Sequence, residues 1–366
     1  MAMAASYVDV FLGEIQTTPL ALGHLTKAYD ILSRRLSGPE ACSDETMAVT
    51  ITLAIFQRIH QQHSAGLVHF DGLYRMIRQR GGMRKLASEN RVLALKPLRY
   101  GIHSPDRARP GFSYISLPMY RLDIEFALQY GSPPRFASRD LPGHAFLDKL
   151  RTTQSSGPAP EGFQSVEPGL LTIVLDAVNY ARVLSISKQE SLDYAEAGLL
   201  LLNRLVEYAP LWMQRSLDTV HNLLHLTSIA LLTTILPEYG HHYDQYDVVK
   251  LHLTDALRKY ACMDTPSRRL LLWALFVGNI SVIPSRERVW ELPLLLETCR
   301  QLDLRSWVQV RRVLREYAWI CPINDKPSKN LWDSLGLSHG PGNSETASTY
   351  PIRTRNTSDT PSLDGH

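Results

Sequence analysis

The residues whose type and spacing best suit chemistry are His221 and His225, four apart, followed after a turn by His241 and His242. Histidines at i and i+4 share a helix face and can hold one metal ion, as in metalloprotease helices. Asn222 stands where that arrangement needs a catalytic Glu, and no acidic third ligand is close in the chain. His221 and His225 are therefore the metal candidates by spacing, yet hydrogen-bonded or partly exposed histidines are the expectation. His60 and His63 invite the same reading with less support. The four cysteines, Cys42, Cys262, Cys299 and Cys321, include no close pair. A structural zinc site needs short-spaced pairs, because two ligands come from one turn. Scattered thiols of this kind read as small core residues. No phosphate-binding glycine loop occurs, and Gly111-Phe112-Ser113 lacks the closing glycine of a nucleophile elbow. Aspartate-rich metal-binding runs are also absent. The expectation is no catalytic residue, no cofactor and no enzyme activity. Only carboxylates paired through space would escape a reading of this kind.

One basic cluster stands out: Arg75, Arg78, Arg80, Arg84 and Lys85. It forms a candidate interaction face, able to contact phosphates or an acidic partner. It equally fits the solvated side of an amphipathic helix that turns Leu73, Met76 and Ile77 inward. Arg311, Arg312 and Arg315 stand in the same relation to the stripe from Trp307 to Tyr317.

The elements that must position these residues read as helices. Ser43-Asp44-Glu45 opens an apolar stretch reaching about His63, and Gly81-Gly82 supply the left-handed stop after Leu73, Met76 and Ile77. Ser187 with Glu190 forms a capping-box pattern ahead of Leu192, Ala195, Leu199, Leu202 and Val206, and Ser306 with Gln309 repeats it. Leu217, Val220, Leu224, Leu231 and Ile235 make another stripe. Thr265-Pro266 predicts a cap with proline in the first helical turn. The following RRLLLWALFVGNI is apolar on nearly all sides, which predicts a buried central helix. Residues 101–120 and 151–168 read as loops, and 338–366 as a disordered tail too polar to offset its ordering entropy. The expected architecture is all-α, a large domain of packed antiparallel helices over 1–337.

Composition agrees with a globular chain: 366 residues, 44% hydrophobic and 20% charged. A formal net charge of +3 is too small to imply nucleic-acid binding by itself. No run of about 18 apolar residues marks a membrane span. The opening residues lack a secretory pattern, so an intracellular protein is expected.

Several segments, in order, resemble the fungal-specific transcription factor domain that lies downstream of binuclear zinc clusters. They are HFDGLYRMIRQRGG (His69 to Gly82), YRLDIEFALQYGSPPRF (Tyr120 to Phe136) and LLLWALFVGNI (Leu270 to Ile280) with RERVW (Arg286 to Trp290). SWVQVRRVLREYAWI (Ser306 to Ile320) and the Leu331-Trp332 pair follow. The resemblance implies a nuclear helical module that regulates transcription through protein contacts, one partner being a zinc-cluster transcription factor. A small-molecule effector is the alternative the family suggests. The six-cysteine cluster is missing, so direct sequence-specific DNA binding by that device is not expected. Gly101 to Tyr120 interrupts a region where the family runs on directly, and reads as an insertion or a translated intron. Pro293 falls where the helix after Trp290 would continue, and predicts its end or a kink.

Overall fold

The computed structural model describes residues 19–60, 62–90, 119–153, 160, 163–187, 192–236, 246–261 and 264–336. Among the described residues the architecture is all-α, with fourteen α-helices and no strand. The expected tail at 338–366, most of the loop at 101–120, His241, His242 and Cys262 lie outside them.

The first four helices are α1 (Pro19–Leu36), α2 (Asp44–Ile59), α3 (His63–Gln79) and α4 (Met83–Glu89). Ser43 starts α2, its Oγ accepting the N–H of Thr46, while Asp44 and Glu45 complement the helix dipole. At the other end of the α2–α3 hairpin, Gly81 and Gly82 have φ of 95° and 93°. The Gly82 N–H reaches back to Ile77 O at 2.9 Å, closing the helix as expected.

Next come α5 (Met119–Tyr130), α6 (His144–Thr153), α7 (Pro168–Ile186), α8 (Leu192–Tyr208), α9 (Thr219–Thr233) and α10 (Asp247–Lys259). The last four are α11 (Thr265–Ser281), α12 (Glu291–Gln301), α13 (Trp307–Leu314) and α14 (Cys321–Ser334). Helices α9 and α11 pack on each other in the interior. Every residue from Leu223 to Thr233 and from Leu270 to Ser281 is buried, as the all-round apolar character of the second segment predicted. The buried apolar cluster runs without interruption from Met47 to Trp332.

Several boundaries differ from the sequence reading. The loop at 151–168 is shorter than expected. Helix α6 runs on to Thr153 because Arg151 pairs with Asp148 and Asp176, and Glu167 already caps α7 through the N–H groups of Gly169 and Leu170. Met119 and Tyr120 belong to α5, where Tyr120 is buried. Ser187 terminates α7, with its N–H on Val183 O, rather than opening α8; Glu190 is outside the described residues. Asp264, one residue before Thr265, is the cap of α11 and accepts from Ser267 N–H. Pro293 neither ends nor kinks a helix. It sits in the first turn of α12, where a missing N–H leaves no bond unmade. The Ser306–Gln309 capping box is present on both sides.

Helix α7 is the one described helix long and apolar enough to cross a membrane. It is instead pinned in the bundle. Asp176, nearly fully buried, accepts from Arg151 of α6 at 2.7 Å and from Arg204 of α8 at 2.6 Å.

Two glycines separate the helix-propensity effect from the packing effect. A Cβ on Gly198 of α8 would overlap Ile235 Cδ1 and lie 2.6 Å from Tyr180 Oη, whereas one on Gly72 of α3 meets nothing within 4 Å. Alanine gains about 1 kcal/mol of helix propensity at either place, but overpacking costs about 1–3 kcal/mol. Gly72→Ala is expected to raise the urea midpoint and Gly198→Ala to lower it, with circular dichroism as the measurement.

Candidate functional site

The histidine pair does not form a metal site. His225 Nδ1 lies 2.8 Å from an Arg215 amino group, which can only donate, so His225 Nε2–H donates to Leu205 O at 2.7 Å. Burial, then the Arg215 charge, pushes His225 down to about 3. His221 Nε2 accepts the Glu167 N–H at 2.8 Å, which leaves its Nδ1–H for Asp218 at 2.6 Å. All four ring nitrogens are occupied by protein groups, and each lone pair already holds a donor. The pair instead closes the α8–α9 loop, with Arg215 also bound to Asn222, the residue in the place of a catalytic Glu. No group of three or more His, Cys, Asp or Glu is placed to hold a metal among the described residues. His60 and His63 diverge too: His60 packs on the Phe56 ring, while His63 Nε2 meets the Gln129 amide at 2.9 Å.

The five-residue basic face contracts to two. Arg80 is held by Asp44 of α2 and, at 3.0 Å, by Glu89 of α4, and Asn90 completes the Asp44 contact at 2.6 Å. Arg80 and then Asn90 hold the Asp44 carboxyl below the usual range. Arg84 reaches Asp140 at 3.1 Å and Arg139 O at 2.7 Å, and Lys85 lies 3.7 Å from Glu89. Arg75 and Arg78 are exposed and form no ion pair among the described residues. Spacing on α3 and α4 placed the arginines correctly. The acids that pair with Arg80 and Arg84 come from other elements, whereas Lys85 meets Glu89, its i+4 neighbour on α4.

Sequence reasoning missed the polar joint under this face. In α5, Arg121 and Glu125 are i,i+4 partners, with Nη2 to Oε1 at 2.8 Å, and Arg58 of α2 reaches the other carboxylate oxygen at 2.8 Å. The three side chains are almost wholly buried. Three charged residues, Arg121, Asp123 and Glu125, in an otherwise apolar stretch from Tyr120 to Leu128 were the available signal. On the same helix Asp123 is buried and accepts backbone N–H bonds from Arg135 at 2.8 Å and Phe136 at 2.9 Å. That fixes the Gly131–Phe136 turn across the end of α5. The Arg135 side chain then pairs with Asp71 and lies over the Phe70 ring at 5.3 Å, while the Phe136 ring sits 5.5 Å from that of Tyr74.

Segments far apart in the chain thus meet in space. His69–Gly82 and Tyr120–Phe136 form this joint. Leu270–Ile280 and Ser306–Ile320 form a second contact, with Trp273 stacked on Tyr317 at 5.1 Å and donating its ring N–H to Ala318 O at 3.0 Å. Comparison with known proteins yields no family model, no curated protein and no solved structure that matches the chain.

Burial pushes Asp123 up to about 6, against the lowering effect of the Arg135 and Phe136 N–H groups. A carboxyl whose pKa is higher folded than unfolded binds its proton more tightly in the fold, so stability falls as pH rises from the unfolded value to the folded one. The wild-type chain should therefore lose stability relative to Asp123→Asn between about pH 4 and pH 6, and run parallel to it above. Asp123→Ala should cost about 2–4 kcal/mol at neutral pH by orphaning both N–H groups. Urea titrations across that range check both.

Proposed function

We propose that the chain is a transcription-regulatory helical domain that acts through protein contacts in the nucleus and carries no zinc cluster of its own. The observation that supports it most is the pairing of the resembling segments. Segments far apart in the chain make two tertiary contacts through the residues that define them, Asp71, Phe70 and Tyr74 with Arg135, Phe126 and Phe136, and Trp273 with Tyr317 and Ala318. A chance likeness scattered over surface positions would have no reason to converge in this way. Exposed Arg75 and Arg78 on the joint's outer helix offer a contact face for an acidic partner.

The reading is tested by fusing the full chain to a heterologous DNA-binding domain in a fungal host with a reporter bearing its site. Expected is activation or repression relative to the DNA-binding domain alone, lost with Asp123→Ala. Transcription equal to the control, with the fusion present in the nucleus, overturns it.

A second reading, response to a small polar effector, is favoured by the joint itself. Buried Gln57 Oε1, His63 Nδ1 and Gln129 Oε1 have no hydrogen-bond partner, a cost a polar ligand would remove. A ligand that binds only the folded form raises the melting temperature. Thermal shift against a panel of organic acids and amino acids should then find one that stabilises wild type but not Gln129→Leu; a flat panel removes this reading.

A further inference from the structure

Helix α13 turns Val310, Val313 and Leu314 into the core, and Asp325 of α14 holds Arg311 at 2.8 Å. Val308, Arg312 and Arg315 remain, spaced i, i+4 and i+7, and so share the opposite face. Val308 is 68% exposed. Arg312 and Arg315 are exposed and have neither an ion pair nor a hydrogen bond among the described residues. One turn earlier, Arg305 pairs only with Asp303 at 2.8 Å, and both side chains stand about four-fifths in solvent (82% and 77%). A pair so hydrated is easily exchanged for another carboxylate. The nearby Arg269 is taken up by Glu316 at 3.2 Å and adds no free charge.

Arginines near a helix C-terminus also offset the helix dipole, an effect of about 0.3–1 kcal/mol. That accounts for Arg312 and Arg315 but puts no demand on Val308, and Arg305 precedes the helix, at the end where a cation is unfavourable. The arrangement of one apolar side chain between cations has a natural complement: an amphipathic helix with one aliphatic residue and carboxylates a turn away. A nucleic acid fits less well. A phosphate-binding surface concentrates more cations than these and makes no use of an exposed aliphatic side chain such as Val308.

We propose that the Val308–Arg312–Arg315 face of α13 docks an acidic amphipathic peptide segment of a partner protein, an aliphatic side chain resting on Val308 and carboxylates pairing with Arg312, Arg315 and Arg305. Arginine favours this role because its planar fork meets a carboxylate with two parallel hydrogen bonds. The surface is on a different helix from Arg75 and Arg78 and does not depend on the regulatory reading.

The full chain is titrated, at low salt, into a fluorescein-labelled peptide helix with leucines at i and i+4 and glutamates at i+3, i+7 and i+8, followed by anisotropy. A scrambled peptide of the same composition and a single-stranded DNA oligonucleotide are the comparisons. Expected is saturable binding of the helix that weakens about tenfold in Arg312→Glu/Arg315→Glu, weakens also in Val308→Asp, and fades with salt. Arg312→Gln/Arg315→Gln is the milder variant should charge reversal disturb folding, and unchanged circular dichroism certifies each protein. No binding, binding equal for the scrambled peptide, or binding indifferent to these variants overturns the proposal. So does tighter binding of the DNA that the same variants abolish, which would make the face a phosphate site.

Discussion

Two helices, α9 and α11, are surrounded on every side, and the rest of the fold follows from covering them. Each is too apolar to leave any face in water, so α7, α8, α10, α12, α13 and α14 pack around them. Burial at about 25 cal/mol per Å² of apolar surface makes this the dominant favourable contribution to the fold. The same burial makes a polar atom left without a hydrogen bond costly. Ser228 donates to Leu224 O, Thr233 to Ala230 O, Asn279 to Leu275 O and Ser281 to Val277 O, each within its own helix. These hydroxyls and the amide nitrogen thus find an acceptor in the interior, whereas Thr227 Oγ1 and Asn279 Oδ1 have no hydrogen-bond partner. His225, fully buried among them, stays neutral and ties the helix to the neighbouring α8 and its loop.

The N-terminal hairpin is attached differently. Phe70 and Phe126 give it an apolar contact with rings 5.7 Å apart, but its position is set by charges: Arg58 and Arg121 on Glu125, Asp123 on the Arg135–Phe136 turn, and Arg135 on Asp71. Buried ion pairs of this sort add little net stability, because desolvation offsets most of the attraction. Removing one partner is far costlier, since it leaves the other charge uncompensated. The joint therefore penalises alternative arrangements of the hairpin more than it strengthens the observed one. A polar joint of small net stability is thus defined in geometry and yet sensitive to a local change.

The surface carries its arginines in two states. Arg80, Arg84 and Arg311 are fixed to acids of other helices and serve the architecture. Arg75, Arg78, Arg312 and Arg315 are not. Counting basic residues along a helix cannot separate these groups, because the difference lies in which acids the tertiary fold brings alongside. Charge near a helix is a local property of the chain, whereas free charge is a property of the fold.

The chain by itself determined the helical character, the α2 cap at Ser43, the stop at Gly81-Gly82, the Ser306–Gln309 box and the burial of α11. All of these depend on residues within a turn or two of each other, where backbone hydrogen bonding and side-chain period are dictated by neighbours in sequence. It erred at Ser187, where one residue type can end a helix as well as begin one, and at Pro293, which is harmless or disruptive depending on where the helix starts. The candidate site was less legible. The i,i+4 spacing of His221 and His225 was real, but only the approach of Glu167 and Arg215 decided that neither ring has a nitrogen to offer a metal. The basic face was visible as five residues; Glu89 lies i+4 from Lys85 in the sequence, but only the fold brought Asp44 and Glu89 to Arg80 and Asp140 to Arg84. What tertiary structure alone decided was the pairing of groups distant in sequence, since their energies depend on a burial and a proximity that no local pattern encodes.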